Sequence, residues 1–370
     1  MTIADRQEVS PLAARLAAPQ VPARDVLAPV RLWLWSVAGL VFLMVLVGGA
    51  TRLTESGLSI TEWRVVTGIL PPLTDSAWLV EFEKYKQIPQ YTQMFPNMPL
   101  SDFKVIFYWE WGHRILGRII GLAFALPLAW FWARGLIKGN LRWKLLGLLA
   151  LGGLQGAVGW WMVSSGLVNR TEVAPERLAT HLLLASITFV ALVSVALGLK
   201  QGAAEARADQ LRRSALFLLA LLLVQVGLGA LVAGSRAGLS YNTWPLMDGS
   251  FMPPWAHMTN LEPAWRNWFE NVATVQFLHR LGAYALLALA LWHAFKASRL
   301  AGGTSAARRA WTIVGMVLTQ AGLGIATLYA VNDQIPLGLG LAHQGFAMLV
   351  LGMGAVHWRK LAVQSNRQPA

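Results

Sequence analysis

Apolar residues along this chain are grouped into long blocks rather than alternating over short stretches. Five blocks contain no Asp, Glu, Lys or Arg: Leu32–Ala50, Leu145–Leu167, Leu178–Leu199, Ser214–Gly234 and Ala310–Val331. Three more blocks of similar length contain histidine: Val105–Ala133, Val272–Phe295 and Ile335–Trp358. Each block is long enough to cross a hydrocarbon core of roughly 30 Å as a helix. The pattern predicts an all-α membrane protein with eight transmembrane helices, because a membrane barrel would show short alternating strands.

The composition supports this class. Of the 370 residues, 55% are hydrophobic and 13% are charged, whereas soluble domains carry about 25% charged residues. The chain has no cysteine, which excludes disulfides, thiolate-ligated haem and cysteine-ligated iron–sulfur clusters. A bound metal must therefore take its protein ligands from His, Met or oxygen atoms.

The net charge of +13 is distributed unequally between the two predicted sides of the membrane. With a cytoplasmic N-terminus, 19 of the 31 Lys and Arg residues lie on the cytoplasmic side and nine lie in the longer loops opposite. This positive-inside bias predicts a multi-pass protein of a bacterial inner membrane, embedded in lipid, with both termini cytoplasmic. A basic nucleic-acid surface is the weaker interpretation, and no nucleic acid is expected as a partner. The first apolar block has full membrane length, so no cleavable signal peptide is expected.

The second half of the sequence repeats the first. Gly57-Leu58-Ser59 recurs as Gly238-Leu239-Ser240, and each copy is followed by a Trp and then by a Pro-Pro pair. The offset is 166 residues between His113 and His279, 165 between Gln155 and Gln320, and 162 between His181 and His343. Three independent markers at nearly one offset indicate an internal duplication.

The duplication predicts two tandem parallel four-helix bundles, because an even number of spans gives both copies the same orientation. The expected division is a disordered cytoplasmic tail at residues 1–30, an N-terminal unit at 31–200, a linker at 201–213, a C-terminal unit at 214–360 and a tail at 361–370. Small residues around the glutamine motifs would allow close helix packing, which by itself requires no cofactor.

Four of the seven histidines lie close to the predicted outer ends of alternate spans: His113, His181, His279 and His343. At 1.5 Å per residue, all four lie within roughly 6–14 Å of the outer boundary. Two imidazoles that face each other at a common height are what a bis-histidine haem iron requires. A single intramembrane histidine is more often a packing residue, but two symmetric pairs favour ligands. His293 and His357 are expected at the opposite ends of their spans, as interfacial or solvated side chains.

Arginines accompany these histidines in both halves. Arg114 and Arg280 directly follow the first histidine of each half, and Arg52 and Arg236 end the first and fifth spans. An arginine at this depth is costly unless something compensates its charge. Charge-assisted hydrogen bonds to haem propionates would do so. For Arg52 and Arg236, extension to the lipid headgroups is the alternative.

One position breaks the symmetry between the halves. Glu110 precedes His113 by three residues, so it lies on the same helical face, whereas the matching residue before His279 is Gln276. A carboxylate here suits a proton acceptor or a group that stabilises developing positive charge. We therefore expect the first half to perform chemistry and the second to hold a permanent electron-transfer haem. The alternative is that Glu110 only pairs with Arg114 or Arg118.

These residues resemble the signatures of a known family, the haem A synthases. The stretch Tyr108-Trp-Glu-Trp-Gly-His-Arg-Ile-Leu-Gly-Arg118 resembles the family motif on the second helix, and Gly48-Gly-Ala-Thr-Arg-Leu-Thr-Glu-Ser-Gly-Leu-Ser59 resembles the motif after the first. The resemblance covers nearly the whole chain outside the two tails. Some members carry a cysteine pair in an outer loop, and this chain has none.

The resemblance implies an oxidoreductase that converts the C8 methyl group of haem O to a formyl group for terminal oxidases. It also implies haem b as cofactor, bound by His279 and His343, with the haem O substrate near His113 and His181 and Glu110 as the catalytic carboxylate. A membrane-bound haem O synthase and an unidentified electron acceptor are the implied partners.

Two other functions remain open at this point. A di-haem b cytochrome would use the same histidines for electron transfer alone, although transfer across the membrane would need haems at two depths. A transporter would use the buried His, Arg and Glu for proton coupling and would bind no pigment.

Overall fold

The computed structural model of the protein describes residues 25–200 and 208–361. Most of the predicted N-terminal tail, the first part of the predicted linker and nearly all of the C-terminal tail lie outside the described residues. Eight helices in the described part are long and apolar enough to cross a membrane, which confirms the predicted fold class. They are α1 (Ala28–Leu53), α2 (Leu100–Ala133), α3 (Asn140–Ser164), α4 (Pro175–Gly198), α5 (Ala208–Gly234), α6 (Val272–Ala301), α7 (Ser305–Tyr329) and α8 (Leu337–Leu361).

Local sequence explains where several of these helices begin. Proline occupies the first turn of α1 and α4, where its missing N–H has no intrahelical partner to lose. Asn271 and Thr304 cap α6 and α7 by accepting hydrogen bonds from Thr274 and Ala307. Helix α2 begins at Leu100, five residues before the predicted span, and continues through Pro127.

Each half of the chain closes on itself as a ring of four helices. In the first half α1 contacts α2, α2 contacts α3, α3 contacts α4, and α4 returns to α1. The second half shows the same neighbours from α5 to α8. Helices α4 and α8 also contact each other, and α4–α5 and α8–α1 contacts join the halves. Two four-helix bundles would produce this pattern, and the tandem-repeat arrangement itself stays a prediction.

Two long connections lie at one end of the bundle, here called the loop-rich end: residues 54–99 between α1 and α2, and residues 235–271 between α5 and α6. The first contains the helix Asp75–Tyr85, whose Trp78, Phe82 and Tyr85 pack on Phe103 and Phe107 of α2. This aromatic cluster covers the loop-rich end of the first half. Burial raises the pKa of the Tyr85 hydroxyl above its ordinary value.

His293 and His357 correct one expectation. They lie on α6 and α8, four turns from His279 and His343, but their side chains are 0% and 1% exposed rather than solvated. Their Nε2 atoms are 2.8 Å apart, and His293 Nδ1 lies 2.9 Å from the hydroxyl of Ser214 on α5. The pair therefore joins three helices by buried hydrogen bonds, and its spacing leaves no room for a metal ion between the rings.

Candidate functional site

Each of the four predicted ligand histidines packs against a glycine on the preceding helix. His113 lies on Gly48 of α1, His181 on Gly159 of α3, His279 on Gly229 of α5 and His343 on Gly324 of α7. A β-carbon added at these glycines would lie 3.2, 2.9, 3.2 and 2.8 Å from the respective ring. The absence of a side chain at each glycine is therefore what allows the imidazole to approach the neighbouring helix.

In the second half, the structure brings the two predicted ligands together. The ring centroids of His279 and His343 are 6.4 Å apart, and the ring planes make an angle of 82°. Two imidazoles that share one metal through bonds of about 2.0 Å would have centroids roughly 6.3 Å apart. Both side chains are half-buried, although they lie within the bundle. The pair therefore fits bis-histidine ligation of a haem iron.

The first half has the same helix arrangement. His113 and His181 are half-buried and lie on the corresponding glycines. Gln155 of α3 lies 3.2 Å from His181 Nδ1. Among the described residues, no three His, Cys, Asp or Glu side chains form a cluster that could hold a metal ion. An iron at either position would therefore have two protein ligands, as a haem iron allows.

Glu110 is 2% exposed and is held at both carboxylate oxygens. Oε1 accepts hydrogen bonds from Arg114 at 2.6 and 3.1 Å. Oε2 accepts one from the Ser59 hydroxyl at 2.7 Å and one from the Ile60 backbone N–H at 2.8 Å. The pairing with Arg114 that was one alternative for this residue is present, and it fixes the carboxylate one turn from His113. A catalytic role of Glu110 stays a prediction.

At the matching position of the second half, the Gln276 side chain donates hydrogen bonds, whereas the Glu110 side chain accepts them. Its amide Nε2 donates to the backbone carbonyls of Ala237 and Tyr241, at 3.2 and 3.1 Å. The two halves thus use the same side-chain position to hold the loop after their first helix. Only the first half places a carboxylate there.

Arg114 and Arg280 hold the same loops from the neighbouring position. Arg114 donates to the carbonyls of Ile60 and Glu62 at 2.7 and 2.8 Å. Arg280 donates to the carbonyl of Tyr241 at 2.8 Å and of Leu246 at 3.3 Å. Binding of propionates by these two guanidinium groups stays a prediction.

Arg52 and Arg236 meet between the two halves, which the sequence did not indicate. Arg52 forms an ion pair of 2.5 Å with Glu172, in the loop between α3 and α4. Arg236 pairs with Glu55 and with the same Glu172. All four side chains are at most 29% exposed. Their charges are compensated within the protein, and a propionate role for either arginine stays a prediction.

A second ion-pair group joins the loops at this end. Glu270 accepts hydrogen bonds from Arg266 at 2.8 Å and from Arg170 at 3.0 Å. The hydrogen bond from Arg266, together with the one from Arg170, lowers the pKa of the Glu270 carboxyl below its ordinary value. Because Arg170 precedes α4 and Glu270 precedes α6, this contact also spans the two halves.

Comparison with known proteins decides the family. The family model for cytochrome oxidase assembly proteins, COX15-CtaA, matches residues 31–354. Proteins called "Heme A synthase" are similar over most of the chain. The one from Beijerinckia indica is 56% identical over 336 residues, which cover 90% of this chain and 93% of that relative. The one from Mesorhizobium japonicum is 54% identical over 332 residues, 90% of each chain.

The chain belongs to the haem A synthase family. The family implies that haem is involved, and ligation of its iron by the histidines of each half stays a prediction. The unpartnered, buried Oε1 atoms of Gln155, Gln225 and Gln320 lie next to three of these histidines. An imidazole bound to a metal through one nitrogen carries a proton on the other and needs an acceptor there. In the orientation described, Nε2 is the atom near Nδ1, and a half-turn of the amide would bring the unused Oε1 acceptor there instead.

Gly324 offers a direct test of the glycine contacts. In a Gly324→Ala variant the new methyl group would lie 2.8 Å from His343 Cε1, which is closer than packed atoms approach. We expect the imidazole to shift and the haem content of the second half to fall severalfold, measured by pigment extraction from the purified protein. The matched control is Gly322→Ala on the same helix, where nothing lies within 4 Å of the added carbon. Equal haem content in the two variants would contradict this arrangement.

Proposed function

We propose that this protein is a haem A synthase that oxidises the C8 methyl group of haem O to a formyl group. The observation that carries the proposal is the asymmetry between two similar sites. Both halves present paired histidines on glycine contacts at the loop-rich end, but only the first adds a buried carboxylate, Glu110. The identity of 56% to a protein called "Heme A synthase" supports the same activity.

The second half is the resident cofactor site. His279 and His343 would bind the iron of haem b, and Arg280 would neutralise a propionate. The 6.4 Å spacing of the rings supports this assignment. Haem b supplies a one-electron carrier when it is bound. The protein's own part is to hold the two imidazoles at this spacing. The uncharged amide of Gln276 occupies the position where the first half has a carboxylate.

The first half is the substrate site. His113 and His181 would hold the iron of haem O, and Arg114 and Arg52 would compensate its propionates, as Arg280 and Arg236 would in the second half. Each of two steps would remove two electrons and two protons and add to the methyl carbon one hydroxyl group from water. The resulting hydrated aldehyde would then lose one water molecule to give the formyl group. Glu110 accepts a proton or stabilises positive charge that develops beside the ring. Ser59 and the N–H of Ile60 hold its Oε2, so the carboxylate does not move during these steps.

The reaction is an oxidation at a CH group, so electrons must leave the substrate. They would pass from the first half to the second and then to an acceptor outside the protein. We propose that the chain lies in a bacterial inner membrane, with both termini cytoplasmic and the loop-rich end outside. The excess of Lys and Arg on the opposite side supports this orientation. A membrane-bound haem O synthase is the expected supplier, because the long apolar tail of haem O keeps the substrate in the bilayer.

Haem analysis of the purified protein tests the function. Cells that produce the protein together with haem O should contain haem A, and cells without haem O should yield only haem b bound to the protein. A di-haem b cytochrome would bind pigment in both cases and yield no haem A. A transporter would carry no tightly bound pigment. Pigmented protein that never yields haem A in the presence of haem O would refute the proposal.

A further inference from the structure

Three of the four histidines are clamped by a glutamine from the preceding helix. The amide Nε2 donates to the backbone carbonyl of the histidine at 3.0 Å for Gln155–His181, 2.9 Å for Gln225–His279 and 3.0 Å for Gln320–His343. The same nitrogen lies 3.2, 3.0 and 3.0 Å from the respective imidazole Nδ1. Each glutamine therefore contacts both the ring and the backbone of its histidine.

The clamp has a fixed position relative to the glycine contact. Each glutamine precedes the glycine under its histidine by four residues, as Gln155 precedes Gly159, Gln225 precedes Gly229 and Gln320 precedes Gly324. Residues four apart lie on one face of a helix, one turn from each other. The ring thus rests on the glycine while the amide holds it from the adjacent turn.

The fourth position departs from this rule. Four residues before Gly48 the chain has Met44. The Met44 side chain reaches α2, where its Cε would lie 3.5 Å from a β-carbon at Gly117, one turn beyond His113. Gln225 reaches α6 at Gly282, three residues beyond His279. A thioether has no N–H, so it cannot donate to the histidine carbonyl, and it accepts hydrogen bonds only weakly.

The amide of a clamp can serve a metal-bound imidazole as well as a free one. With the iron on one ring nitrogen, the other carries a proton and needs an acceptor. The Oε1 atoms of the three glutamines are buried without a partner among the described residues. A half-turn of the terminal torsion exchanges the amide oxygen and nitrogen. Oε1 would then accept from a protonated Nδ1, and the bond from Nε2 to the backbone carbonyl would be given up. The glutamine therefore keeps one contact to its histidine in either orientation. Within residues 25–200 and 208–361, no glutamine side chain forms a hydrogen bond with His113.

We propose that Gln155, Gln225 and Gln320 are positioning residues that hold their histidines in place as ligands, and that Met44 leaves His113 as the ligand of the substrate site that detaches first. The inference rests on the proposed function. A resident haem must stay bound, and both of its histidines are clamped. A substrate haem must leave as product, and one of its two histidines is not clamped. His113 detaches first when the product leaves.

The experiment compares the release of the two pigments from one full-length protein. Protein loaded with haem O and haem b is mixed with excess apomyoglobin, and the remaining haem of each type is extracted over time. We expect Met44→Gln to slow the loss of haem O by roughly fivefold to tenfold, the effect of one or two net hydrogen bonds. Gln155→Met should accelerate that loss by a similar factor. Neither variant should change the loss of haem b, which serves as the internal check of folding.

A redox measurement separates positioning from mere packing. Removing the acceptor in Gln225→Met makes the imidazole a weaker donor to iron, so the midpoint potential of haem b should rise. Gln225→Glu offers a stronger acceptor and should lower it. Shifts of the midpoint potential in opposite directions would support a hydrogen bond from His279 to Gln225. Shifts in the same direction, or no shift, would overturn the inference for the haem b site.

Two outcomes would distinguish failure of this inference from failure of the proposed function. Haem O that binds the protein but leaves at the same rate in wild type, Met44→Gln and Gln155→Met would overturn the inference alone. If Met44→Gln does not fold, Gln155→Met decides the question by the same criterion. A wild-type protein that retains no haem O, or retains it equally after His113→Ala and His181→Ala, would overturn the assignment of the substrate site itself.

Discussion

Replacement of Glu110 by glutamine should abolish haem A formation while both haems remain bound. The second half has an amide at the matching position, Gln276, and still has its histidines paired at 6.4 Å, so the charge of Glu110 is not needed to form a histidine site. A positioned acid or base typically contributes a factor of roughly 10²–10⁴ to a rate. The loss should therefore reach that range, measured as haem A extracted from cells supplied with haem O.

The hydrogen bonds around Glu110 provide a control for this variant. Ser59→Ala removes the 2.7 Å donor to Oε2 but keeps the carboxylate, its ion pair with Arg114 and the bond from the Ile60 N–H. We expect a partial loss of activity, because the carboxylate is retained with one fewer contact. If Glu110→Gln yields haem A at the wild-type level, the first half is not the catalytic half.

The fold could be predicted because the membrane imposes a simple rule on the sequence. Backbone polar groups in hydrocarbon must be satisfied within a segment, so each long apolar block becomes a helix. All eight predicted spans are present as helices in the described part of the chain. Their ends were less predictable. Helix α2 starts at Leu100, before its apolar block, because its first turns pack under the aromatic cluster of the preceding loop rather than in lipid.

The histidine positions could also be predicted, but their surroundings could not. Helical periodicity places His279 and His343 at one height, and the structure brings their rings together. The glutamine motifs were recognised only as markers of the duplication, because a contact between Gln320 and His343 depends on how α7 packs against α8. The one signal in the sequence for these contacts is the equal spacing of four residues from each glutamine to its glycine.

Charged residues at the helix ends were the least predictable part. The sequence offers propionates or headgroups as partners of Arg52 and Arg236, whereas in the structure both side chains pair with Glu172. Glu172 lies in a short loop with no motif around it, and nothing in the sequence indicates that the two halves meet there. The burial of His293 and His357 could not be predicted either, because the ends of membrane helices can be solvated or buried depending on their neighbours.

Removal of His343 should eliminate haem b from the second half. In His343→Ala the iron would lose one of two protein ligands, and Gln320 would lose the ring that it contacts at 3.0 Å. We expect the reduced absorption band of haem b to disappear from the purified protein and haem A formation to stop, since electrons could no longer leave the substrate site. Retention of a bis-histidine haem b spectrum in this variant, purified from cells without haem O, would contradict the assignment of the ligands.

His357→Ala on the same helix is the matched control. It lies 14 residues beyond His343 and removes a buried hydrogen bond of 2.8 Å to His293, not a predicted ligand. Leaving His293 without that partner should lower the free energy of unfolding by about 1–3 kcal/mol, while the haem b spectrum stays unchanged. Because both substitutions lie on α8 and both remove a histidine, only the position of the imidazole differs between them. Loss of haem b in both variants would mean that the spectrum reports helix stability rather than ligation. His279 and His343 would then no longer be distinguished as the iron ligands.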